Sequence, residues 1–175
     1  MKLIFLLFAA CVLTEISIYS LTSDGADGTT IHFNSYQNKR IVLVNIATNS
    51  PQAAQIAELQ QLYLQNKSNL VVVAFPSNDF GNEPRTNAEI ADYLQTTYGV
   101  TFPIVAKGSV ADTLNSIQPV YNWLANKAQN GVFNSKVKSD FYKYLINRQG
   151  KIVGIFDSST SVLSTTFQNA LQIHN

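Results

Sequence analysis

The sequence predicts an α/β fold with a central mixed sheet, and three patterns carry that prediction. Residues 41–47 and 70–75 are short, almost continuously apolar runs rich in β-branched side chains, as in strands covered on both faces. Residues 53–66 lie between them and repeat apolar side chains at helical spacing, so the two strands of this unit should be parallel. Residues 141–146 and 152–156 are two further strand-like runs joined by a turn, which predicts an antiparallel hairpin.

The other predicted elements surround this core. They are an N-terminal β-hairpin of residues 17–21 and 30–33 around the turn at 24–28, a helix over 87–98 with Asn87 as its N-cap, an extended piece at 102–105, and helices over 117–126 and 162–173. The order β-α-β, then α-β-β-α, is typical of a thioredoxin-like fold with helices flanking the sheet.

Composition narrows the class of protein. The chain has 175 residues, of which 46% are hydrophobic and 13% are charged, and its net charge is +1. A single domain with a real core fits these values. Because lysines and arginines are scattered singly, we expect no nucleic-acid partner and no basic membrane-binding face.

The N-terminal segment has the pattern of a leader and is not predicted to be part of the domain. Met1-Lys2 is followed by an apolar or small-residue run over residues 3–13, which is too short to span a bilayer. A lysine before such a run is typical of a secretory signal peptide, and a buried N-terminal strand or helix is the alternative. We therefore expect residues 1–15 to be a signal peptide or lipoprotein-type leader and residues 16–175 to form the domain.

The only cysteine, Cys11, lies inside this leader. The stretch Leu-Phe-Ala-Ala-Cys at residues 7–11 resembles a bacterial lipobox, which would give a lipid anchor through Cys11; otherwise Cys11 is part of an apolar segment that is discarded. Either outcome implies an exported protein, which would be periplasmic or membrane-anchored in a bacterium and secreted elsewhere. The body of the chain has no thiol of its own and no disulfide to report an oxidising compartment.

Five stretches carry a resemblance to a known family. They are residues 41–50, residues 59–63, residues 74–84 (Ala-Phe-Pro-Ser-Asn-Asp-Phe-Gly-Asn-Glu-Pro) followed by Asn-Ala-Glu-Ile at 87–90, residues 102–104, and residues 140–146. In this order and spacing they are similar to the glutathione peroxidase family, from about Ser17 to the C-terminus. The resemblance implies a thioredoxin-like fold, thiol-dependent reduction of hydroperoxides and no cofactor.

The departures from the family fall on its catalytic tetrad of cysteine or selenocysteine, glutamine, tryptophan and asparagine. Ser50 stands at the peroxidatic position, Ser139 at the tryptophan position and Asp140 at the asparagine position. The loop after Asn82 is one residue short, so the glutamine is either deleted or replaced by Glu83. A second position that carries cysteine in some members is Ser77, and residues 87–98 contain no resolving cysteine.

A serine cannot replace the peroxidatic sulfur, because oxygen has no equivalent of the thiolate-to-sulfenic-acid step. The sequence therefore favours an inactive homologue that binds a small molecule or protein of unknown identity. One alternative is a peroxidase that uses Cys11 or the thiol of a partner.

Another alternative is a hydrolytic or metal site built from Ser50 and an acidic cluster of Asp79, Glu83 and Asp140. A hydrolytic serine needs a base, and nothing in the sequence indicates that either histidine, His32 or His174, lies next to Ser50. We expect Ser50 to act as the N-cap of a helix that begins near Pro51.

Overall fold

The computed structural model describes residues 15–111 and 116–173; the proposed leader up to residue 14, with Cys11, and His174 lie outside the described residues. The elements in chain order are β1 (Thr22–Asp24), β2 (Thr30–His32), β3 (Arg40–Ile46), α1 (Gln55–Asn66), β4 (Leu70–Pro76), α2 (Asn87–Tyr98), α3 (Pro119–Ala125), α4 (Lys127–Asn130), β5 (Lys143–Ile146), β6 (Ile152–Phe156) and α5 (Thr165–Ile173), with 3-10 helices at Ile18–Ser20 and Phe33–Tyr36.

The central sheet is mixed, as predicted, and its strands lie in the order β4-β3-β5-β6. β3 pairs in parallel with β4, which places Val42 beside Val72, and it pairs antiparallel with β5, which places Leu43 beside Tyr144. β5 and β6 form the predicted antiparallel hairpin. Every residue of β3 and β4 is buried, which explains why these two strands read as continuous apolar runs.

Each face of the sheet has its own apolar core. Ile41 and Leu43 of β3 pack on one face, in a cluster that includes Trp123 of α3. Their neighbours in β3, such as Val42, point to the other face and join a cluster built with α1, α2 and α5. The result is a sheet between two layers, the thioredoxin-like arrangement that the sequence predicts.

The N-terminal hairpin forms, but its first strand is not residues 17–21. That segment contains the 3-10 helix Ile18–Ser20, in which the Ser17 hydroxyl accepts a hydrogen bond from the Tyr19 amide. The strand is β1, which pairs antiparallel with β2. A local serine–backbone hydrogen bond thus competes successfully with strand formation.

The predicted N-cap of α2 is also wrong by one residue. The hydroxyl of Thr86 accepts from the Glu89 amide, and the Glu89 carboxylate accepts from the Thr86 amide, which makes a capping box. The Asn87 side chain instead accepts a hydrogen bond from the Lys107 amide at 2.7 Å.

Other boundaries also differ from the predicted ones. β5 begins at Lys143 rather than at 141, since Phe141 has a φ of 61° and cannot continue an extended strand. The helix predicted over 117–126 is the shorter helix α3, and it is followed by a short helix, α4, that was not predicted. The terminal helix begins at Thr165, three residues after its predicted start. In the described part of the chain, no helix is long and apolar enough to cross a membrane.

Candidate functional site

Ser50 lies in the turn that follows the carboxyl end of β3. It is 5% exposed, its hydroxyl donates to the Gln52 side-chain oxygen at 2.9 Å, and its amide donates to the Ala47 carbonyl. Its carbonyl accepts from the Ala53 amide, the first of several i to i+3 bonds that lead into the next helix. Because α1 begins only at Gln55, Ser50 is not its N-cap.

Glu83 is the fully buried carboxylate of this region. One oxygen accepts from the Thr48 amide at 2.7 Å, and the other accepts from the Thr48 hydroxyl at 2.8 Å and the Arg85 amide at 3.2 Å. These donors hold the loop after β4 against the turn after β3. A carboxylate with this many donors is a structural clamp that can be buried without an unpaired charge.

The guanidinium of Arg85 completes this clamp from the outside. It donates to the Thr48 hydroxyl at 2.5 Å and to the Asn49 side-chain oxygen at 2.7 Å. It also lies over the ring of Tyr93, 4.3 Å from its centroid. The Thr48 hydroxyl therefore links a cation on one side to the Glu83 carboxylate on the other.

Asp140 reaches the same region from the segment before β5. It is 3% exposed, and its Oδ2 accepts from the side-chain amide of Asn82 at 2.7 Å, while its Oδ1 has no hydrogen-bond partner within the described residues. The Asn82 carbonyl accepts from the amide of Asn49, the neighbour of Ser50. The three loops that carry Ser50, Glu83 and Asp140 are thus brought together.

Sequence reasoning did not single out Asn82. The assignment of the glutamine position to Glu83 stays a prediction, but the side-chain carboxamide that contacts Asp140 belongs to Asn82. The sequence could have indicated Asn82, because the one-residue deletion in this loop can be placed before Asn82 as well as after it.

Ser139 and Ser77 make contacts through their backbone and through local turns. Ser139 is half-buried, and its carbonyl accepts from the side-chain amide of Asn45. Ser77 is buried beyond the end of β4; its amide donates to the Ile46 carbonyl and its hydroxyl accepts from the Asp79 amide. Both serines flank the end of the strand that leads to Ser50.

The acidic cluster considered for a metal does not form. The Asp79 carboxylate accepts from the amides of Val110 and Ala111, both at 2.7 Å, and so fastens a different loop. Among residues 15–111 and 116–173, no three His, Cys, Asp or Glu side chains are grouped so that they could hold a metal ion. His32 lies exposed on β2, and Gln52 is the residue that the Ser50 hydroxyl contacts.

A buried lysine, Lys143, holds the segment that follows Asp140. Lys143 is fully buried, and its ammonium donates to the Phe141 carbonyl at 2.9 Å and the Asp157 carbonyl at 3.3 Å. Burial lowers the pKa of Lys143 to about 8, against the opposing effect of the Glu58 and Asp157 carboxylates. The bond to Phe141 holds the residue whose positive φ turns the chain from Asp140 into β5.

Comparison with known proteins identifies the family to which this sequence is similar. The family model described as Glutathione peroxidase matches residues 18–125. Glutathione peroxidase-like peroxiredoxin gpx1 of Schizosaccharomyces pombe is 36% identical over 143 residues, covering 80% of this chain and 88% of that protein. Glutathione peroxidase homolog BsaA of Staphylococcus epidermidis is also 36% identical over 143 residues, covering 81% of this chain and 89% of that protein.

Solved structures are similar as well. The crystal structure of Trgpx in apo form has a TM-score of 0.68 and 26% identity, covering 90% of this chain and 95% of that chain. That of T. cruzi GPX1 has a TM-score of 0.66 at 22% identity, covering 90% of this chain and 94% of that chain, which bears on the fold alone.

The sheet order, the flanking helices and the N-terminal hairpin define a thioredoxin-fold protein. The chain belongs to the glutathione peroxidase family, as its motifs predict. These relatives support peroxidase activity as the function of the family.

The buried lysine generates a prediction about pH and stability. Between the folded pKa of about 8 and the unfolded value of about 10.4, the unfolded chain binds more protons at Lys143, so this group raises the free energy of unfolding as pH rises. The slope is about 1.4 kcal/mol per pH unit inside that window, and below it the effect is constant. Lys143→Met should remove this slope.

Chemical denaturation of the chain and of the variant at several pH values from 7 to about 10 measures the difference. Lys138→Met, which changes an exposed lysine, is the matched control and should follow the parent chain. If the free energies of unfolding of Lys143→Met and of the parent chain change with pH in parallel, Lys143 has an ordinary pKa and the prediction is wrong.

Proposed function

We propose that this chain is a catalytically inactive member of the glutathione peroxidase family with a binding or scaffolding role. The observation that carries the proposal is the serine at the peroxidatic position, Ser50, in a chain whose only cysteine is Cys11. The relatives support peroxidase function for the family, and the loss of that function in this chain is our inference.

The chemistry of the hydroxyl supports this proposal. Peroxide reduction requires a thiolate or selenolate that is oxidised by the peroxide and then reduced by a second thiol. A serine hydroxyl is much less acidic than a thiol, and its oxygen cannot accept a second oxygen atom and return it. Among the residues that the structure describes, the Ser50 hydroxyl donates to the carboxamide oxygen of Gln52, and an amide is too weak a base to activate it.

The surroundings of Ser50 support the same conclusion. A carboxylate oxygen that already accepts hydrogen bonds gives no stabilisation to an anion that forms at position 50. The Glu83 oxygens are already bonded to Thr48 and Arg85.

We expect the purified chain to consume no hydrogen peroxide or organic hydroperoxide above the buffer rate. The assay is run with glutathione and its reductase, and separately with thioredoxin and its reductase, with NADPH oxidation as the readout. Ser50→Ala is the matched control, and we expect it to be indistinguishable from the parent chain.

Cys11→Ala distinguishes the remaining explanations. Turnover that persists in this variant and is lost in Ser50→Ala would contradict the proposal, because a serine site would then be active. Turnover that is lost in Cys11→Ala would show that the N-terminal thiol supplies the sulfur, which is the alternative left by the sequence.

We also propose that residues 1–15 direct export, from the lysine and the apolar run that follows it. Mass spectrometry of the mature N-terminus in the native host tests this. Cleavage after the apolar run supports a secreted protein, and a diacylated N-terminal Cys11 supports a lipoprotein. An intact Met1 on soluble protein would exclude both.

A further inference from the structure

A cavity of about 720 Å³ lies between the N-terminal hairpin and the helices α1 and α2. Its lining comes from the hairpin and the 3-10 helix after it, from α1 and α2, and from residues 100–104. Neither Ser50 nor any of the residues Ser77, Glu83, Ser139 and Asp140 lines it. The cavity is therefore separate from the site described above, and its size suits a small organic ligand.

One wall of the cavity is aromatic. Tyr36, Tyr63 and Phe102 all line it, and the rings of Tyr63 and Phe102 meet edge to face with centroids 6.1 Å apart. Burial, and to a lesser extent the electrostatic effect of Tyr63, raises the pKa of Tyr36. The ammonium of Lys67 already lies 5.7 Å from the centroid of Tyr63, which shows that this ring accommodates a cation.

The hairpin contributes a carboxylate to the same cavity. Asp27 lines it, and its Oδ1 accepts from the amide and the hydroxyl of Thr29 at 3.0 and 2.7 Å. Both bonds use Oδ1, so Oδ2 remains for a ligand. The hydrogen bonds from Thr29 lower the pKa of Asp27, so the group is ionised at neutral pH. No lysine or arginine is present in the lining to neutralise this charge.

The backbone holds the hairpin in place over the cavity. The Gly25 amide donates to the Thr29 carbonyl at 2.6 Å, and the Ala26 amide donates to the Ile104 carbonyl at 2.9 Å. The second bond fastens the hairpin turn to the segment that forms the cavity floor. The carboxylate and the aromatic wall are thus positioned before a ligand arrives, which reduces the cost of binding.

We propose that this cavity binds a small organic ammonium ion, with the charged nitrogen at Asp27 and the organic group against Tyr36, Tyr63 and Phe102. A carboxylate and aromatic rings that line one cavity are the chemistry that recognises such an ion, and the ligand nitrogen would bind at Asp27 while Lys67 keeps its place over Tyr63. The proposal does not depend on whether Ser50 is inactive, because the two sites share no residue.

The test uses 2-phenylethylamine as the probe and 2-phenylethanol as a neutral compound of nearly the same shape. Each is titrated into the isotope-labelled chain, and amide chemical shifts give both the affinity and the location of binding. We expect shifts in the hairpin, in residues 100–104 and around Tyr36, with the amine binding about fivefold more tightly than the alcohol.

Two substitutions separate the parts of the site. Asp27→Asn keeps the Oδ1 acceptor for Thr29 and removes the charge, so the amine should then bind no better than the alcohol. Asp92→Asn is the matched control, since Asp92 is an exposed carboxylate on α2 that does not line the cavity, and it should change little. Tyr36→Leu should weaken the amine more than the alcohol, and a thermal melt checks that each variant is folded.

The proposal is overturned if the amine and the alcohol bind equally well to the parent chain, or if neither binds at about 10 mM, well above a specific affinity for ligands of this size. It is also overturned if Asp27→Asn and Asp92→Asn weaken the amine equally, or if the shifts lie outside the cavity. Activity of the chain as a peroxidase would leave these results unchanged.

Discussion

The buried carboxamide of Asn45 is the constraint on which the site depends. Its side-chain nitrogen donates to the Ser139 carbonyl and its side-chain oxygen accepts from the Tyr142 amide, while its backbone carbonyl accepts from the Phe141 amide at 2.7 Å. These bonds fix the segment around residue 140 to the end of β3, just before the turn with Ser50. An unpaired buried amide costs more free energy than a hydrogen bond contributes, so this polar residue in an apolar strand is bonded on every side.

In the function that we propose, this protein keeps the fold of the family and has lost its redox chemistry. The elements that position a peroxidatic residue remain: the buried strand β3, the turn after it, the loop after β4 and the segment before β5. We propose that the change lies in the side chains on that frame, with Ser50 at the peroxidatic position and the carboxylates of Glu83 and Asp140 in the loops around it. The Glu83 clamp and the Asn82–Asp140 bond give these replacements structural roles. A site whose groups stabilise the fold can persist after catalysis is lost.

The sequence predicted what depends on periodicity and missed what depends on contacts between distant residues. β3 and β4 were evident because both faces are buried, and the order of elements then determined the fold class. The positive φ of Phe141 was not evident, because it is imposed by the bonds of Asn45 and Lys143 to its backbone. The clamp between Thr48 and Glu83 joins residues 35 positions apart. The prediction of an acidic cluster was wrong because the Asp79 carboxylate accepts hydrogen bonds from a different loop. The cavity beneath the hairpin draws on segments that no motif connects.

We propose that the surroundings of position 50, as well as the residue at that position, no longer support peroxidase chemistry. The direct test is the rate at which hydrogen peroxide oxidises the single thiol of Ser50→Cys in a Cys11→Ala background, followed by stopped-flow fluorescence or thiol titration. Because the described contacts of the Ser50 side chain are with Gln52 and include no cation that would stabilise a thiolate, we predict a rate of the same order as that of free cysteine at the same pH. Oxidation several orders of magnitude faster than free cysteine would show that the site still activates a sulfur, and would contradict this account.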